Sequence, residues 1–172
     1  MHNHAVSKEP HVMTAMSERN TATPPYDLQE VDRQILAELA VNARVGKAEL
    51  ARRVALSPPG VAQRLKWLEN AGVIRGYHVD IDPAALGYPV GAVVRVRPAV
   101  RQILNIQRLA EEQPEVVECH RITGDDSFVM KVYARSVQHL QQILDRFLTY
   151  GQTTTSIIHS TTITPRCMPF HL

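Results

Sequence analysis

The chain has 172 residues and a mass of 19.3 kDa, with 44% hydrophobic and 21% charged residues, which fits two small domains with packed cores and excludes a globally disordered chain. No run of about 18 apolar residues is present and residues 1–19 lack the apolar segment of a secretory signal, so we expect neither a membrane span nor secretion. The net charge of +2 is uneven, because residues 42–78 carry +5 and the remainder −3. A basic segment of this size is typical of proteins that bind a polyanion, although basic faces are often only solvated surface.

Residues 1–26 are polar, and their composition predicts a disordered N-terminal arm. The histidines of this arm have no cysteine or carboxylate frame around them, so we expect no metal site there. The two cysteines, Cys119 and Cys167, are too few for a disulfide framework or a structural zinc site. We therefore expect a reduced, cytoplasmic protein that holds no metal.

The spacing of apolar residues predicts three short helices within residues 27–75. The first begins near Leu28, with Asp27 as its N-cap and Glu30 completing a capping box. The second covers about residues 47–54. Together the three helices predict a small all-helical domain.

The third helix has the clearest boundaries. Ser57 is predicted to cap its first turn, and Gly72 is predicted to end it in the left-handed conformation. We expect Trp67 to pack in the groove between the first and third helices. The core positions predicted for this helix are Val61, Leu65 and Leu68.

The second and third helices, with the turn at residues 55–56 between them, form a predicted helix-turn-helix. In such a unit the second of the two helices enters the major groove of DNA, and its N-terminal residues reach the base edges. Gln63 is predicted to read adenine, and Arg64 to read guanine or hold a phosphate. The remaining positions predicted to face the DNA or its phosphates are Lys47, Arg52, Arg53, Ser57, Pro59, Gly60 and Lys66. The alternative is a plain three-helix bundle with a solvated basic face.

The pattern changes after the third helix. Residues 73–81 are predicted to be extended, and residues 76–89 are predicted to form a strand or linker that acts as a hinge between two domains. The segments that follow are predicted as strands at residues 90–97, 115–122, 128–134 and 153–164, and as helices at residues 101–112 and 136–150. Residues 165–172 are left as a C-terminal tail.

The order β-α-β-β-α-β in residues 90–164 predicts an α+β fold, a four-stranded antiparallel sheet with both helices on one face, known as ferredoxin-like. The inward positions predicted for the second of these helices are Val137, Leu140, Ile143, Leu144 and Phe147. The other face of the sheet carries the apolar residues Val93, Val129 and Tyr133. We therefore expect a partner to cover it.

The sequence resembles the Lrp/AsnC family of regulators over about residues 27–164. The resemblance begins with the residues of the three helices and continues into the segment after them, where the family's pattern appears as Leu68-Glu69, Gly72, Ile74 and Gly76-Tyr77. The parts that resemble the family's ligand-sensing module are Glu118-Cys119-His120, Thr123-Gly124-Asp125 and Phe128.

The resemblance implies a winged helix-turn-helix domain at residues 27–75 and a sensing and assembly domain at residues 90–164. It implies a transcriptional regulator that binds pseudo-palindromic double-stranded DNA and controls genes of amino-acid metabolism. It also implies a non-covalently bound amino-acid effector in place of any cofactor, and homodimers that often assemble as octamers of four dimers. Such a regulator acts in the cytoplasm, in association with the nucleoid.

The resemblance places the effector near the loop at residues 123–127. Its candidate contacts are Gly124, Asp125, Asp126, Ser127 and, by a hydroxyl, Thr154. Many members of the family have an aspartate where this chain has Ser127, so a carboxylate for the effector's ammonium would come from Asp125 or Asp126. A polar turn with two solvated aspartates is the alternative. A second departure is Ala55, where the family often has glycine: a left-handed alanine costs roughly 1 kcal/mol unless the turn adjusts.

Two other functions remain as alternatives at this point. One is an architectural protein that wraps DNA with little sequence preference, which a steep salt dependence and a small specificity ratio would reveal. The other is an enzyme, which the sequence argues against. No metalloprotease, nucleophile-elbow or P-loop motif occurs, and the adjacent Cys119 and His120 point to opposite faces of a predicted strand. We therefore expect no catalytic site.

Overall fold

A computed structural model describes residues 27–168, so the predicted disorder of residues 1–26 and the end of the C-terminal tail lie outside the described part. The chain divides into two compact units: one contains the described residues up to Tyr77 together with Cys167 and Met168, and the other is formed by His78–Arg166. None of the helices within the described part is long and apolar enough to cross a membrane.

Three helices form the first unit: α1 spans Glu30–Val41, α2 spans Lys47–Arg53 and α3 spans Pro58–Asn70. Their buried side chains make one core, which consists of Ile35, Leu50, Ala51, Val54, Val61, Leu65 and Leu68. The three inward positions predicted for α3 all belong to it. The prediction of a three-helix domain from apolar spacing is therefore confirmed.

The start of α1 differs from the prediction. The N-cap is Gln29 rather than Asp27, and Asp32 rather than Glu30 closes the capping box, since Asp32 Oδ2 accepts a hydrogen bond of 3.0 Å from the Gln29 backbone N–H. Aspartate is a favoured N-cap residue, which is why Asp27 stood out in the sequence. The helix begins later than predicted because the carboxylate of Asp32, three residues after Gln29, accepts a hydrogen bond from the otherwise free backbone N–H of Gln29.

The turn between α2 and α3 holds a strained residue. Ala55 has a φ of 53°, so the turn does not adjust to avoid the left-handed conformation. The start of α3 is as predicted, because Ser57 Oγ accepts a hydrogen bond of 3.2 Å from the Gly60 N–H. Its end is as predicted too, because Gly72 has a φ of 72°.

The segment after α3 contains no strand. Residues 73–82 belong to no sheet in the described part, and Val79 is 82% exposed, so of the two predicted alternatives, a strand or a linker, this segment has the form of a linker. A strand needs a hydrogen-bonded neighbour, and this segment has none. A single turn of 3₁₀ helix follows at Pro83–Leu86, capped by Asp82 and ended by Gly87 in the left-handed region.

The second unit follows the predicted order. Its elements are β1 at Val90–Pro98, α4 at Ile103–Glu112, β2 at Val116–Arg121, β3 at Phe128–Ala134, α5 at Val137–Leu148 and β4 at Gly151–Ile157. The strands form one antiparallel sheet in the order β2-β3-β1-β4. The core between this sheet and the two helices contains Val94, Ile106, Phe128, Ile143 and Phe147. The ferredoxin-like fold is therefore confirmed.

Two boundaries and one side-chain position in this unit differ from the predictions. The helix expected at residue 101 begins at Ile103, because Arg101 has a φ of 64°, outside the helical region. The inward position expected for Val137 is wrong, since it lies in the first turn of α5 and is 56% exposed. The last strand ends at Ile157 instead of residue 164.

That strand also begins earlier, at Gly151, which the sequence marked only as the end of a helix. Gly151 pairs with Pro98, and a Cβ at this position would lie 2.3 Å from the carbonyl oxygen of Arg97. Only glycine therefore allows β4 to pass this close to β1.

Candidate nucleic-acid interface and effector loop

The exposed side of the helix-turn-helix carries most of the residues predicted to meet DNA. Those that are exposed are Lys47, Arg52, Arg53, Ser57, Pro59, Gln63 and Lys66. Gly60 and Arg64 are half-buried. Gln63 lies on α3 opposite the buried residues Val61 and Leu65, so its amide is free to reach a base edge.

The basic residues of this surface differ in their partners. Arg53 donates to Glu49 Oε1 at 2.8 Å and to Glu38 Oε2 at 2.7 Å, and so joins α2 to α1. Arg52 also pairs with Glu49 but keeps 78% of its side chain exposed. Within residues 27–168, Lys47 and Lys66 form no ion pair, so they carry the charge that is most available to phosphates.

Arg64 points toward α1. Its Nη1 lies 3.3 Å from Oδ2 of Asp32, a fully buried carboxylate, and its Nη2 donates to the side-chain oxygen of Gln29. The guanidinium therefore neutralises a buried charge and fixes the start of α1 against α3. This pair could not be predicted from local sequence patterns, because its members lie 32 positions apart.

Trp67 does not occupy the core position predicted for it, since it remains 41% exposed. The buried stripe of α3 runs through Leu65 and Leu68, and Trp67 lies one position off that stripe. It follows Gln63 by four residues and therefore neighbours it on the helix surface.

The loop between β2 and β3 is closed by two backbone hydrogen bonds. The Ile122 N–H donates to the Ser127 carbonyl, and the Ser127 N–H donates to the Val96 carbonyl, both at 3.0 Å. Gly124 at the tip has a φ of 106°, and no atom lies within 4 Å of the position its Cβ would take. The tip is therefore strained for any other residue, but it is not crowded.

Two arginines that were not predicted from the sequence as site residues face this loop from β1. Arg97 Nη2 lies 3.1 Å from Asp125 Oδ2, and Arg97 Nε lies 3.8 Å from Asp126 Oδ1. Arg95 Nε lies 3.8 Å from Asp126 Oδ2. The alternation of valine and arginine along β1 was the available signal, because it places both guanidiniums on one face.

Thr154 belongs to the same face of the sheet. It stands opposite Arg95 in the pairing of β1 with β4, so both side chains leave the sheet on one side. The neighbouring Thr153 and Thr155 stand opposite buried valines of β1. The fold therefore places Thr154 on the same face of the sheet as Arg95 and Arg97, the two arginines that pair with the loop carboxylates.

We call this side of the sheet, which α4 and α5 leave uncovered, the open face. The three apolar residues predicted on it are there: Val93 is 37% exposed, and Val129 and Tyr133 are half-buried. Beside it runs a groove of about 790 Å³, and the apolar residues that line it include Val79, Ile81, Leu86, Val117 and Tyr133. The open face thus combines apolar area with the paired charges described above.

The region of Cys119 and His120 has no catalytic arrangement. His120 Nε2 lies 2.6 Å from Glu118 Oε1, on the opposite side of β2 from Cys119. Burial of the Cys119 thiol raises its pKa, and the charge of Glu111 raises the pKa further, so the nucleophilic thiolate is disfavoured. Residues 27–168 hold no group of three or more histidine, cysteine or acidic residues arranged to bind a metal ion.

Comparison with known proteins gives matches in both units. Residues 28–75 match a family described as winged helix-turn-helix DNA-binding, and residues 91–166 match the Lrp/AsnC ligand binding domain. The HTH-type transcriptional regulator LrpC of Bacillus subtilis is 30% identical over 133 residues, which cover 77% of this chain and 92% of LrpC.

Two solved structures are similar over nearly their whole length. The feast or famine regulatory protein of M. tuberculosis, complexed with L-methionine, has a TM-score of 0.77 and 33% identity, covering 82% of this chain and 98% of that one. The transcriptional regulator of Neisseria meningitidis in its L-Met complex has a TM-score of 0.76 and 28% identity, covering 83% and 96%. The chain belongs to the Lrp/AsnC family, whose members are DNA-binding transcriptional regulators and not enzymes.

Proposed function

We propose that this regulator binds an amino acid at the loop of residues 123–127, and that the bound amino acid changes its assembly or its affinity for operator DNA. The observation that carries the proposal is the pairing of the loop carboxylates with arginines of β1, which puts charges of both signs at one end of the open face. An amino-acid zwitterion needs an acceptor for its ammonium and donors for its carboxylate. Relatives complexed with L-methionine support this choice of effector.

We propose that residues 27–75 form the DNA-binding domain, with α3 in the major groove. Gln63 reads a base edge, and Pro59 and Gly60 bring the backbone of α3 close to the DNA. The residues that hold phosphates are Lys47, Arg52, Arg53, Ser57 and Lys66, with Arg64 at the edge of this surface. The controlled genes, on this proposal, are those of amino-acid metabolism.

We propose that residues 90–164 both sense the effector and assemble the protein. A second copy of this chain covers the open face and its groove, because that face combines exposed Val93 with apolar groove residues such as Val79 and Ile81. The dimers join into an octamer of four dimers, which places paired helix-turn-helix units on pseudo-palindromic sites. The protein acts on the nucleoid in the cytoplasm and uses no cofactor besides the effector.

Gel-shift titration on the DNA upstream of the protein's own gene tests the DNA-binding part. Gln63→Ala is expected to weaken binding to the operator by about 1–3 kcal/mol while leaving binding to unrelated DNA unchanged. Lys66→Ala is expected to weaken binding to both DNAs and to lower the slope of log K against log salt by about 1. Arg108→Ala on α4 is the control and should change neither quantity. Equal losses on both DNAs for Gln63→Ala would contradict the proposed reading of the base edge.

A further inference from the structure

We propose that Arg97, with Arg95 beside it, binds the carboxylate of the amino-acid effector, while Asp126 binds its ammonium. This inference rests on the proposed function, which places the effector at the loop of residues 123–127. We call these three side chains the clamp. It adds Arg95 and Arg97 of β1 to the loop residues that the sequence suggests as effector contacts. It also predicts which chemical groups a ligand must have.

Arg97 is suited to release its present partner. Its guanidinium reaches both loop aspartates, with Nη2 at 3.1 Å from Asp125 Oδ2 and Nε at 3.8 Å from Asp126 Oδ1. The side chain of Arg97 is 51% exposed and that of Asp125 is 88% exposed. Exposed ion pairs contribute little to stability, so a carboxylate of the ligand replaces Asp125 at small cost. The guanidinium fork then binds that carboxylate through two parallel hydrogen bonds.

Asp126 is in the opposite situation. Its side chain is only 28% exposed, and it lies 3.8 Å from the Nε atoms of both Arg95 and Arg97, beyond hydrogen-bond distance. No hydrogen bond to its carboxylate occurs within residues 27–168, so its oxygens keep their capacity to accept. An ammonium group is the donor that such a carboxylate binds best. Asp126 thereby supplies the carboxylate that the serine at position 127 does not.

The spacing of these groups fits an α-amino acid and disfavours related ligands. A carboxylate acceptor and a guanidinium donor about 4 Å apart match the two charged groups carried on one α-carbon. Thr154, opposite Arg95 in the sheet, offers a hydroxyl on the same face. A ligand that lacks either charge leaves one of these groups unpaired. The clamp therefore predicts that binding requires both the free carboxylate and the free ammonium.

Isothermal titration of the full-length protein with each of the twenty standard L-amino acids identifies the tightest ligand. Titration with the amide and the N-acetyl derivative of that ligand then tests the clamp. We expect wild type to bind each derivative at least about tenfold more weakly than the amino acid. In Arg97→Gln the amino acid should lose about tenfold in affinity, and the preference for acid over amide should fall to nearly one. In Asp126→Asn the preference over the N-acetyl derivative should fall in the same way.

The matched control is Arg108→Gln, which removes an exposed arginine on α4 and should leave both preferences as in wild type. If Arg97→Gln keeps the full preference for the acid over the amide, the clamp is overturned. If wild type binds the amide as tightly as the acid, the clamp is overturned as well, and this second measurement does not depend on whether the variants fold. In either case the effector site itself still stands. If wild type binds no amino acid at all, the proposed function fails, and the clamp fails with it.

Discussion

Arg64 Nη1 lies 3.3 Å from Oδ2 of Asp32, whose side chain has no exposure to solvent, whereas Arg64 keeps 35% of its own side chain exposed. A residue that the sequence suggests for DNA contact thus also neutralises a buried charge inside its own domain. Removing one member of such a pair leaves the other charged and without a partner. The free energy of folding lost in this way exceeds the net free energy that the intact pair contributes.

We therefore predict that Arg64→Ala lowers the free energy of unfolding of the first unit by about 2 kcal/mol. Trp67 is the one tryptophan of the chain and lies on α3, so its fluorescence during urea unfolding reports on this unit. Arg64→Lys, which keeps the charge, should lose less, and Arg53→Ala, whose glutamate partners are both partly exposed, should lose under about 1 kcal/mol.

The effect of Arg64→Ala on DNA binding is to be measured where the variant is fully folded. We predict weaker operator binding by an oligomer of unchanged mass. Normal operator affinity under those conditions would remove Arg64 from the DNA surface and leave it only its contact with Asp32.

Ala55 offers a test of backbone strain in the helix-turn-helix. Its φ of 53° lies in the left-handed region, where glycine has no Cβ penalty. Ala55→Gly is predicted to raise the free energy of unfolding by up to about 1 kcal/mol, since relief of strain outweighs the greater entropy of the unfolded chain. Ala48→Gly, in the exposed part of α2, is the matched control and should destabilise by about 1 kcal/mol. A loss of stability in both variants would show that residue 55 is not strained.

Trp67 gives a direct optical test of the surface of α3. Because it is 41% exposed, we predict that iodide quenches its fluorescence in the free protein and that its emission is not that of a buried indole. Operator DNA should reduce the access of iodide if the surface shared with Gln63 faces the groove. The contradicting result is a blue-shifted emission that iodide does not quench in the free protein. It would show that Trp67 is buried, either in the core position predicted from the sequence or beneath another part of the assembly.

Gly124→Thr is predicted to alter effector response or assembly before it affects DNA contact. The substitution forces a β-branched residue into a φ of 106°, at a cost of about 1–2 kcal/mol, although the side chain meets no atom of its own chain. Light scattering with each of the twenty standard amino acids measures assembly and its response to the effector, and a gel shift measures DNA binding. Gly124→Ala separates the strain of the backbone from the bulk of threonine. Weaker DNA contact with assembly and effector response unchanged would show that this loop is not the sensor.

The features that sequence reasoning captured are those that depend on neighbours in the chain. Ser57 and Gly72 mark the ends of α3 because a cap and a left-handed stop are local devices, and the stripe of Val61, Leu65 and Leu68 follows from helical periodicity. The same holds for the alternation that marks β1 and β3.

The features that it missed depend on contacts between distant segments. The pairing of Arg64 with Asp32 joins two helices, and that of Arg97 with Asp125 joins a strand to a loop. The early start of the last strand at Gly151 has the same origin, because its close approach to β1 exists only in the folded sheet. Periodicity carries no information on such pairs.

Light scattering of the purified protein, together with a gel shift on the DNA upstream of its own gene, shows whether an amino acid controls this regulator. We predict that at least one of the twenty standard amino acids changes the mass of the assembly or its affinity for the operator. An assembly whose mass and operator affinity stay the same with every amino acid, and whose binding has a steep salt dependence and little sequence preference, would contradict it and indicate an architectural DNA-wrapping protein.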